Sequence, residues 1–365
     1  MDQTSRLAAL IQQSIDECIH RQRALLTDLG SDVTPLINIA EQFLSGGKRM
    51  RGQFAILAYD AVSPSFDPLA TEPPKQVLLA AAALEFFHAA ALVHDDLIDK
   101  SDLRRGRPAV HKAFEAVHQG QRWQGSAEHY GISTAILVGD MLQSWADELF
   151  DQAVRLVKPD SAQAARAHFN TMRTEVAAGQ YLDLLEEQLS GFGTEEEQLE
   201  RATRVLVYKS AKYSVEAPLL IGAALAGASP DAELAFSDFG LPVGVAFQLR
   251  DDLLGVFGDT ELTGKPAGDD LREGKRTVLV GLTRQQLPAN AKRLFDELLG
   301  DPTLDAEQIL MLQRTIRDAG AVESVEKMIA TNVERAVEAL AGSHLSERAK
   351  SSLGSLAEKA ANRVA

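Results

Sequence analysis

The sequence predicts an all-α protein built as one large helical bundle, and three observations predict it. Almost every long segment spaces its apolar residues with a helical period. No run of alternating β-branched residues is long enough to claim a sheet. Two apolar helical stretches, far apart in the chain, each carry adjacent aspartates, which is how bundles build polar sites from facing helices. With 365 residues, 45% of them hydrophobic, the chain can bury a large core. Length alone would favour two domains. We expect a single domain spanning residues 1–365, with an N-terminal helix within residues 1–30 and packing helices over residues 282–365.

A formal net charge of −15 argues against a nucleic-acid-binding surface. An anionic ligand must then be held by local basic groups or metal ions, not by the overall field. The single cysteine, Cys18, excludes an internal disulfide and a cysteine-rich zinc site. The N-terminal stretch carries charges throughout, and no long apolar segment stands there. The most apolar run, Val77 to Val93, is interrupted by Glu85 and His88. It reads as too short and too polar to span a bilayer. A soluble, cytoplasmic protein without a transmembrane segment is the expectation.

Taken in order, residues 4–28 form one amphipathic helix, and Asp32 to Phe43 a second with Pro35 in its first turn. Gly46-Gly47 interrupts the pattern, and Lys48, Arg49 and Arg51 open the next helix. Cations at a helix N-terminus oppose the macrodipole, so these side chains call for an anionic partner. A glycine-punctuated turn with solvated basic residues is the plainer alternative. A proline-rich loop from Ser63 to Pro74 leads into the helical run Val77 to Val93, which ends in His94, Asp95, Asp96 and Asp99. A polar, glycine-rich loop is expected from Gln119 to Gly131. Helices follow over Ile132 to Leu156, Ser161 to Leu189 with Gln180 and Asp183, and Glu195 to Ala228 with Lys209, Ser210 and Lys212. The stretch Phe247 to Thr277 repeats the device of apolar helix, adjacent aspartates (Asp251 and Asp252) and basic loop. Three or four amphipathic helices without a chemical motif complete the chain, and no repeat of fixed period is visible.

Asp95 and Asp99, four residues apart, share a helix face with Asp96 beside them. Such like-charge pairs cost a helix about 0.2–0.5 kcal/mol each. An apolar helix carrying three of them calls for a compensating cation. Hard oxygen ligands suit Mg²⁺, which completes its shell with water and substrate phosphate. The arginines just beyond, Arg104 and Arg105, suit a phosphate-bearing ligand. A charged helix end in solvent is the alternative.

The motifs GGKRMR, HDDLID followed by LRRGRP, GQYLD, YKSAKYS, FQLRDD and GKPAGDDLREGKRT stand in this order along the chain. Together they resemble the trans-isoprenyl diphosphate synthases, the polyprenyl synthetase family, and most of all a bacterial geranylgeranyl diphosphate synthase. The resemblance implies an all-α isoprenoid-synthase bundle with two aspartate-rich helices facing each other around a central cavity. It also implies a homodimer and Mg²⁺ as cofactor, with three ions per active site. It makes Asp95, Asp96, Asp99 and Asp251 metal ligands, with Asp252 in the second cluster. Lys48, Arg51, His88 and Arg105 would hold isopentenyl diphosphate. Arg104, Lys209, Gln248 and Lys265 would hold an allylic diphosphate, with Lys275 nearby; Lys209 and Lys265 would also be catalytic. Ser210 stands where the family usually has threonine. Gly255 stands where its second motif has a third aspartate, with Asp259 as one possible substitute.

The implied reaction is Mg²⁺-dependent 1′-4 condensation of isopentenyl diphosphate with dimethylallyl, geranyl or farnesyl diphosphate. The departing diphosphate serves as the base that the resemblance implies. In this family, bulky residues four and five positions before the first aspartate stop growth at C15. Those positions here are Ala91 and Ala90, and Phe87 and Phe86 follow about one turn deeper, at about 5.4 Å per turn. A turn is close to one isoprene unit, so C20 is expected. On spacing alone the two phenylalanines could equally be ordinary core. A C15 or C25 and longer product, a class I terpene cyclase and a non-catalytic partner subunit remain as alternatives.

Overall fold

The computed structural model describes residues 3–63, 71–189, 192–258 and 268–361. The all-α expectation holds. Among the described residues the only strands are the two-residue pieces Leu103–Arg104 and Arg107–Pro108. The chain forms two compact units, Met1–Arg166 with Ile221–Ala228, and Ala167–Leu220 with Ser229–Ala365.

The first unit contains α1 (Gln3–Leu26), α2 (Thr34–Leu44), α3 (Met50–Val62), α4 (Lys75–Ile98), α5 (Val110–Gln121) and α6 (Ala127–Val154). It is organised around α4, whose alanines 80–83, Leu84, Phe86, Phe87, Ala89 and Ala90 are all buried. A helix that is apolar on every side belongs inside a protein or a bilayer. At 24 residues α4 is long and apolar enough for either, and 72% of its most apolar window is buried within the protein. It is therefore a core helix. As the shared helix face of Asp95 and Asp99 requires, the helix runs past Val93 and carries Asp95 and Asp96 in its last turn, with Asp99 as C-cap.

Beyond α4 the chain makes a hairpin in which Leu103 pairs with Pro108 and Arg104 with Arg107. Its turn residues, Arg105 and Gly106, have φ of 55° and 72°, the left-handed geometry that two-residue hairpins demand. The loop expected over 119–131 is shorter. Helix α5 reaches Gln121 and ends at Arg122 in the left-handed region. Ser126 then caps α6, its hydroxyl accepting from His129 N at 3.2 Å. The polar composition of that stretch reflects two helix ends rather than a long loop.

The second unit holds part of α7 (Pro159–Gln188), α8 (Glu195–Val205), a π-helical segment (Leu206–Glu216), part of α9 (Ala217–Ala226) and α10 (Pro230–Phe257). It continues with α11 (Asp269–Glu273), α12 (Val278–Gln286), α13 (Ala289–Leu298), α14 (Ala306–Asp318), α15 (Ala321–Gly342) and α16 (Glu347–Ala361). Its core joins Leu249, Leu253 and Val256 of α10 to Leu271, Leu279, Phe295, Ile316 and Val325. Capping boxes at Thr194/Glu197 and Asp305/Gln308 begin α8 and α14. The π-helical segment is the main departure from the regular α-helix expected over 195–228. Such widened turns are frequent at functional sites, and this one carries Lys209, Ser210 and Lys212.

Candidate active site

In the first unit, the Gly46-Gly47 turn delivers a cluster of arginines. Gly46, Gly47 and Arg49 all have positive φ, which folds the chain tightly between α2 and α3. Arg49 turns inward. It donates to Gln12 Oε1 and to the Leu44 carbonyl, and its Nη1 lies 3.6 Å from Glu85 Oε2, both side chains only 4% exposed. Glu85 also accepts from Gly52 N at 3.1 Å. Arg49 is thus a structural arginine that fixes the turn against α4, while Lys48 beside it is exposed.

His88 lies deeper on α4. Burial pushes its pKa well below the ordinary imidazole value, and the charges of Arg51, Arg105, Arg104 and Arg49 push it further the same way. His88 is therefore a neutral imidazole among four guanidinium groups. Burial also lowers the pKa of Arg105, with Arg49 adding to the effect and Glu85 opposing it. The Arg105 guanidinium packs over Gly47, 3.5 Å from where a Cβ would stand. The structure thus brings Arg51, His88 and Arg105 together, three of the residues expected to hold one diphosphate. So much positive charge in a chain of net charge −15 is the electrostatic signature of an anion site.

The first aspartate cluster adjoins the hairpin. Arg104 Nε donates to Asp96 Oδ1 at 2.8 Å, its Nη2 also reaches Asp96 Oδ1, and Nη2 lies 3.4 Å from Asp95 Oδ2. The side chains of Asp95 and Asp96 are 16% and 1% exposed. Asp99 is partly exposed, and its backbone N–H closes the helix on the Asp95 carbonyl at 2.8 Å. Arg104, expected beside an allylic diphosphate, instead balances the carboxylates in this structure. Ala90 and Phe86 are fully buried, Phe87 is 4% exposed and Ala91 is partly exposed. The Phe86 ring stands edge-on to Trp145, centroids 6.2 Å apart.

In the second unit, Lys209 Nζ pairs with Asp183 Oδ2, and Lys212 Nζ donates to Glu175 Oε1 at 2.6 Å. Helix α7 approaches the π-helical segment through Gly179. A Cβ there would overlap the Lys209 amide nitrogen and lie 2.7 Å from Lys209 Cα. Since the obstacle is backbone, Gly179→Ala is expected to cost about 1–3 kcal/mol of stability and to shift Lys209. A lowered denaturation midpoint checks the first effect, and a weakened Lys209–Asp183 pair the second.

Gln248 Nε2 donates to Asp252 Oδ1 at 2.8 Å. Burial pushes Asp252 up to about 8; the Gln248 hydrogen bond and Lys275 oppose this, while the charges of Asp270 and Asp251 add to it. Lys275 Nζ is 3.0 Å from Glu273 Oε2, and Asp251 is exposed. Lys265 and Asp259 lie outside the described residues.

Among the described residues no three metal-ligating side chains are already drawn together. The donor sets nevertheless fit Mg²⁺. Both clusters offer oxygen donors alone. The first crowds two largely buried carboxylates against one arginine. In the second, the burial and repulsion that hold Asp252 near 8 would be relieved by a divalent cation. Asp183 and Glu85 stood out in the sequence but without partners: Asp183 pairs with Lys209, and Glu85 anchors Arg49. The signal at Glu85 is a lone carboxylate inside an alanine-rich run.

A family model for polyprenyl synthetase matches residues 33–316. Relatives include a short chain isoprenyl diphosphate synthase of Methanothermobacter thermautotrophicus, 33% identical over 85% of this chain and 86% of that protein. A geranylfarnesyl diphosphate synthase of Natronomonas pharaonis is 31% identical over 86% of this chain and 88% of that protein. Among solved structures, a geranylgeranyl pyrophosphate synthase of Corynebacterium glutamicum, complexed with isoprenyl diphosphate and magnesium, is 36% identical. The match covers 100% of both chains with a TM-score of 0.92. The chain belongs to the polyprenyl synthetase family and is a trans-prenyltransferase, an enzyme of trans-prenyl chain elongation.

Proposed function

We propose that the enzyme joins isopentenyl diphosphate to dimethylallyl, geranyl or farnesyl diphosphate, making all-trans geranylgeranyl diphosphate (C20) and releasing diphosphate. The observation that carries this reading is the neutral His88 among Arg51, Arg105, Arg104 and Arg49. A site for a second diphosphate has no use in a class I terpene cyclase, which ionises one substrate alone.

In this reading Lys48, Arg51, His88 and Arg105 hold the diphosphate of isopentenyl diphosphate. Arg104, Lys209, Gln248, Lys265 and Lys275 hold that of the allylic substrate. Asp95, Asp96, Asp99 and Asp251 would hold Mg²⁺, with Asp252 beside them. When bound, the metal supplies charge neutralisation that makes the allylic diphosphate a better leaving group. Arg104 would then exchange its aspartate partners for phosphate oxygens. A neutral His88 donates one hydrogen bond without adding a fifth charge to the arginines around it. The apolar face of α4, with Ala90 and Ala91 leading to Phe87, shields the allylic cation from water and receives the tail. A C20 name among the similar structures supports the proposed length, and a C25 name among the relatives marks the neighbouring alternative. Homodimerisation and a cytoplasmic location belong to the same reading.

The test is diphosphate release by the purified enzyme with Mg²⁺ and farnesyl diphosphate. Release that requires isopentenyl diphosphate, and an Arg51→Gln variant with a raised KM for that substrate alone, support the proposal. Release from the allylic substrate alone would turn the reading to a cyclase.

A further inference from the structure

Along much of its length α4 is alanine: Ala82, Ala83, Ala89 and Ala90 are all buried. Alanine projects a single carbon from the backbone. In a close-packed interior, the room beside such a helix is filled or left open by the helix packed against it. On one side of α4 that helix is α6, and two contacts fix how they lie. A Cβ at Gly139 would overlap the His94 imidazole, and the Phe86 ring meets Trp145 edge-on, centroids 6.2 Å apart. Stepping back along α4 from His94 to Phe86 is thus stepping forward along α6 from Gly139 to Trp145. The two helices run antiparallel.

The register follows. Leu142, Trp145 and Leu149 share one face of α6 at helical spacing, and all three are buried. Leu142 therefore stands level with Ala90 and Ala91, Trp145 with Phe86 and Phe87, and Leu149 with Ala82 and Ala83. The bulkiest of the three lies at the level of the two phenylalanines. With the indole in place, the Phe86 ring is held by an edge-to-face contact and has no space to turn towards α6.

We propose that Trp145 is a specificity-determining residue, which closes from α6 the layer that Phe86 and Phe87 close from α4. The inference rests on the chain elongation proposed above and adds a second wall to it. Beyond this layer the small face of α4 resumes with Ala83 and Ala82, so the obstacle is one layer deep. A smaller side chain at 145 gives the Phe86 ring a place to turn into. The tail then gains about one helical turn of depth, ~5.4 Å, which is room for one further isoprene unit.

The test sizes the products that the full-length enzyme makes from geranyl diphosphate and labelled isopentenyl diphosphate with Mg²⁺, by chromatography after dephosphorylation. Trp145→Leu is expected to move most of the label to products at least one isoprene unit longer than those of the wild type. Trp145→Phe, which keeps an aromatic edge against Phe86, is expected to retain the wild-type length. Lost packing alone would lower Tm and turnover in Trp145→Leu and leave the product length where it was. Leu142→Phe places bulk one α6 turn nearer Asp95 and is expected to shorten the product, which serves if Trp145→Leu does not fold. Wild-type length in a folded Trp145→Leu, or in Leu142→Phe used in its place, would overturn the inference and leave the proposed function standing. No incorporation of label by the wild-type enzyme would overturn both.

Discussion

Asp95→Ala is expected to lower kcat by about 10³-fold or more while leaving the folded protein close to wild-type stability. The size follows from the role: charge stabilisation of a departing diphosphate is worth several kcal/mol, and each 1.36 kcal/mol is tenfold in rate. The stability follows from the geometry. Asp95 is 16% exposed and only 3.4 Å from Arg104 at its nearest, so its loss leaves Arg104 still paired with Asp96. Asp96→Ala is the informative contrast. Its carboxylate is 1% exposed and takes both Nε and Nη2 of Arg104. Removing one partner of a buried pair costs about 3–5 kcal/mol, so this variant should lose both turnover and several degrees of Tm. Steady-state kinetics with thermal unfolding separates the two. Asp95→Ala turning over at more than a tenth of the wild-type rate would contradict the assignment.

Phe87→Ala is expected to lengthen the main product by one isoprene unit or more. Ala90 and Ala91 leave the tail free to pass the first turn below Asp95, and the next obstacles are Phe87 and Phe86. The structure distinguishes these two. Phe86 is fully buried and edge-on to Trp145, so Phe86→Ala is expected to cost about 3–5 kcal/mol in the core besides any effect on length. Phe87→Ala is the cleaner probe. Reversed-phase chromatography of the dephosphorylated products reads the result. An unchanged product from both variants would remove these residues from the length determinant and leave them as ordinary core.

The parts of this molecule legible in the sequence are those set by periodicity and local charge. Helices α4 and α10 declared themselves because apolar runs that end in adjacent aspartates are hard to explain otherwise. The turn at Gly46-Gly47 was legible for the same reason, as basic residues opening a helix need an anion. What was hidden depends on distant residues. That Arg49 belongs to Glu85 while Arg51 and Arg105 surround His88 is decided by how α3, α4 and the hairpin pack, and all three arginines look alike in the chain. The Asp183–Lys209 pair needs α7 to touch the π-helical segment at Gly179, a contact with no local signature. The hairpin of Leu103–Pro108 was missed because two-residue strands are too short for a period-two pattern. Its left-handed Arg105-Gly106 turn was the one available clue. The glycine at 255 read as a loss. Only the structure shows that a Cβ there would overlap the Asp270 carboxylate.

Two-substrate chain elongation to C20 is tested by a product assay. Purified enzyme is incubated with Mg²⁺, labelled isopentenyl diphosphate and each allylic starter in turn, and the labelled products are sized by chromatography. A dominant C20 product is expected from every starter, lost on chelation of the metal and in Asp95→Ala. A labelled product that stops at C15, or no incorporation of label while the allylic diphosphate is consumed, would contradict it.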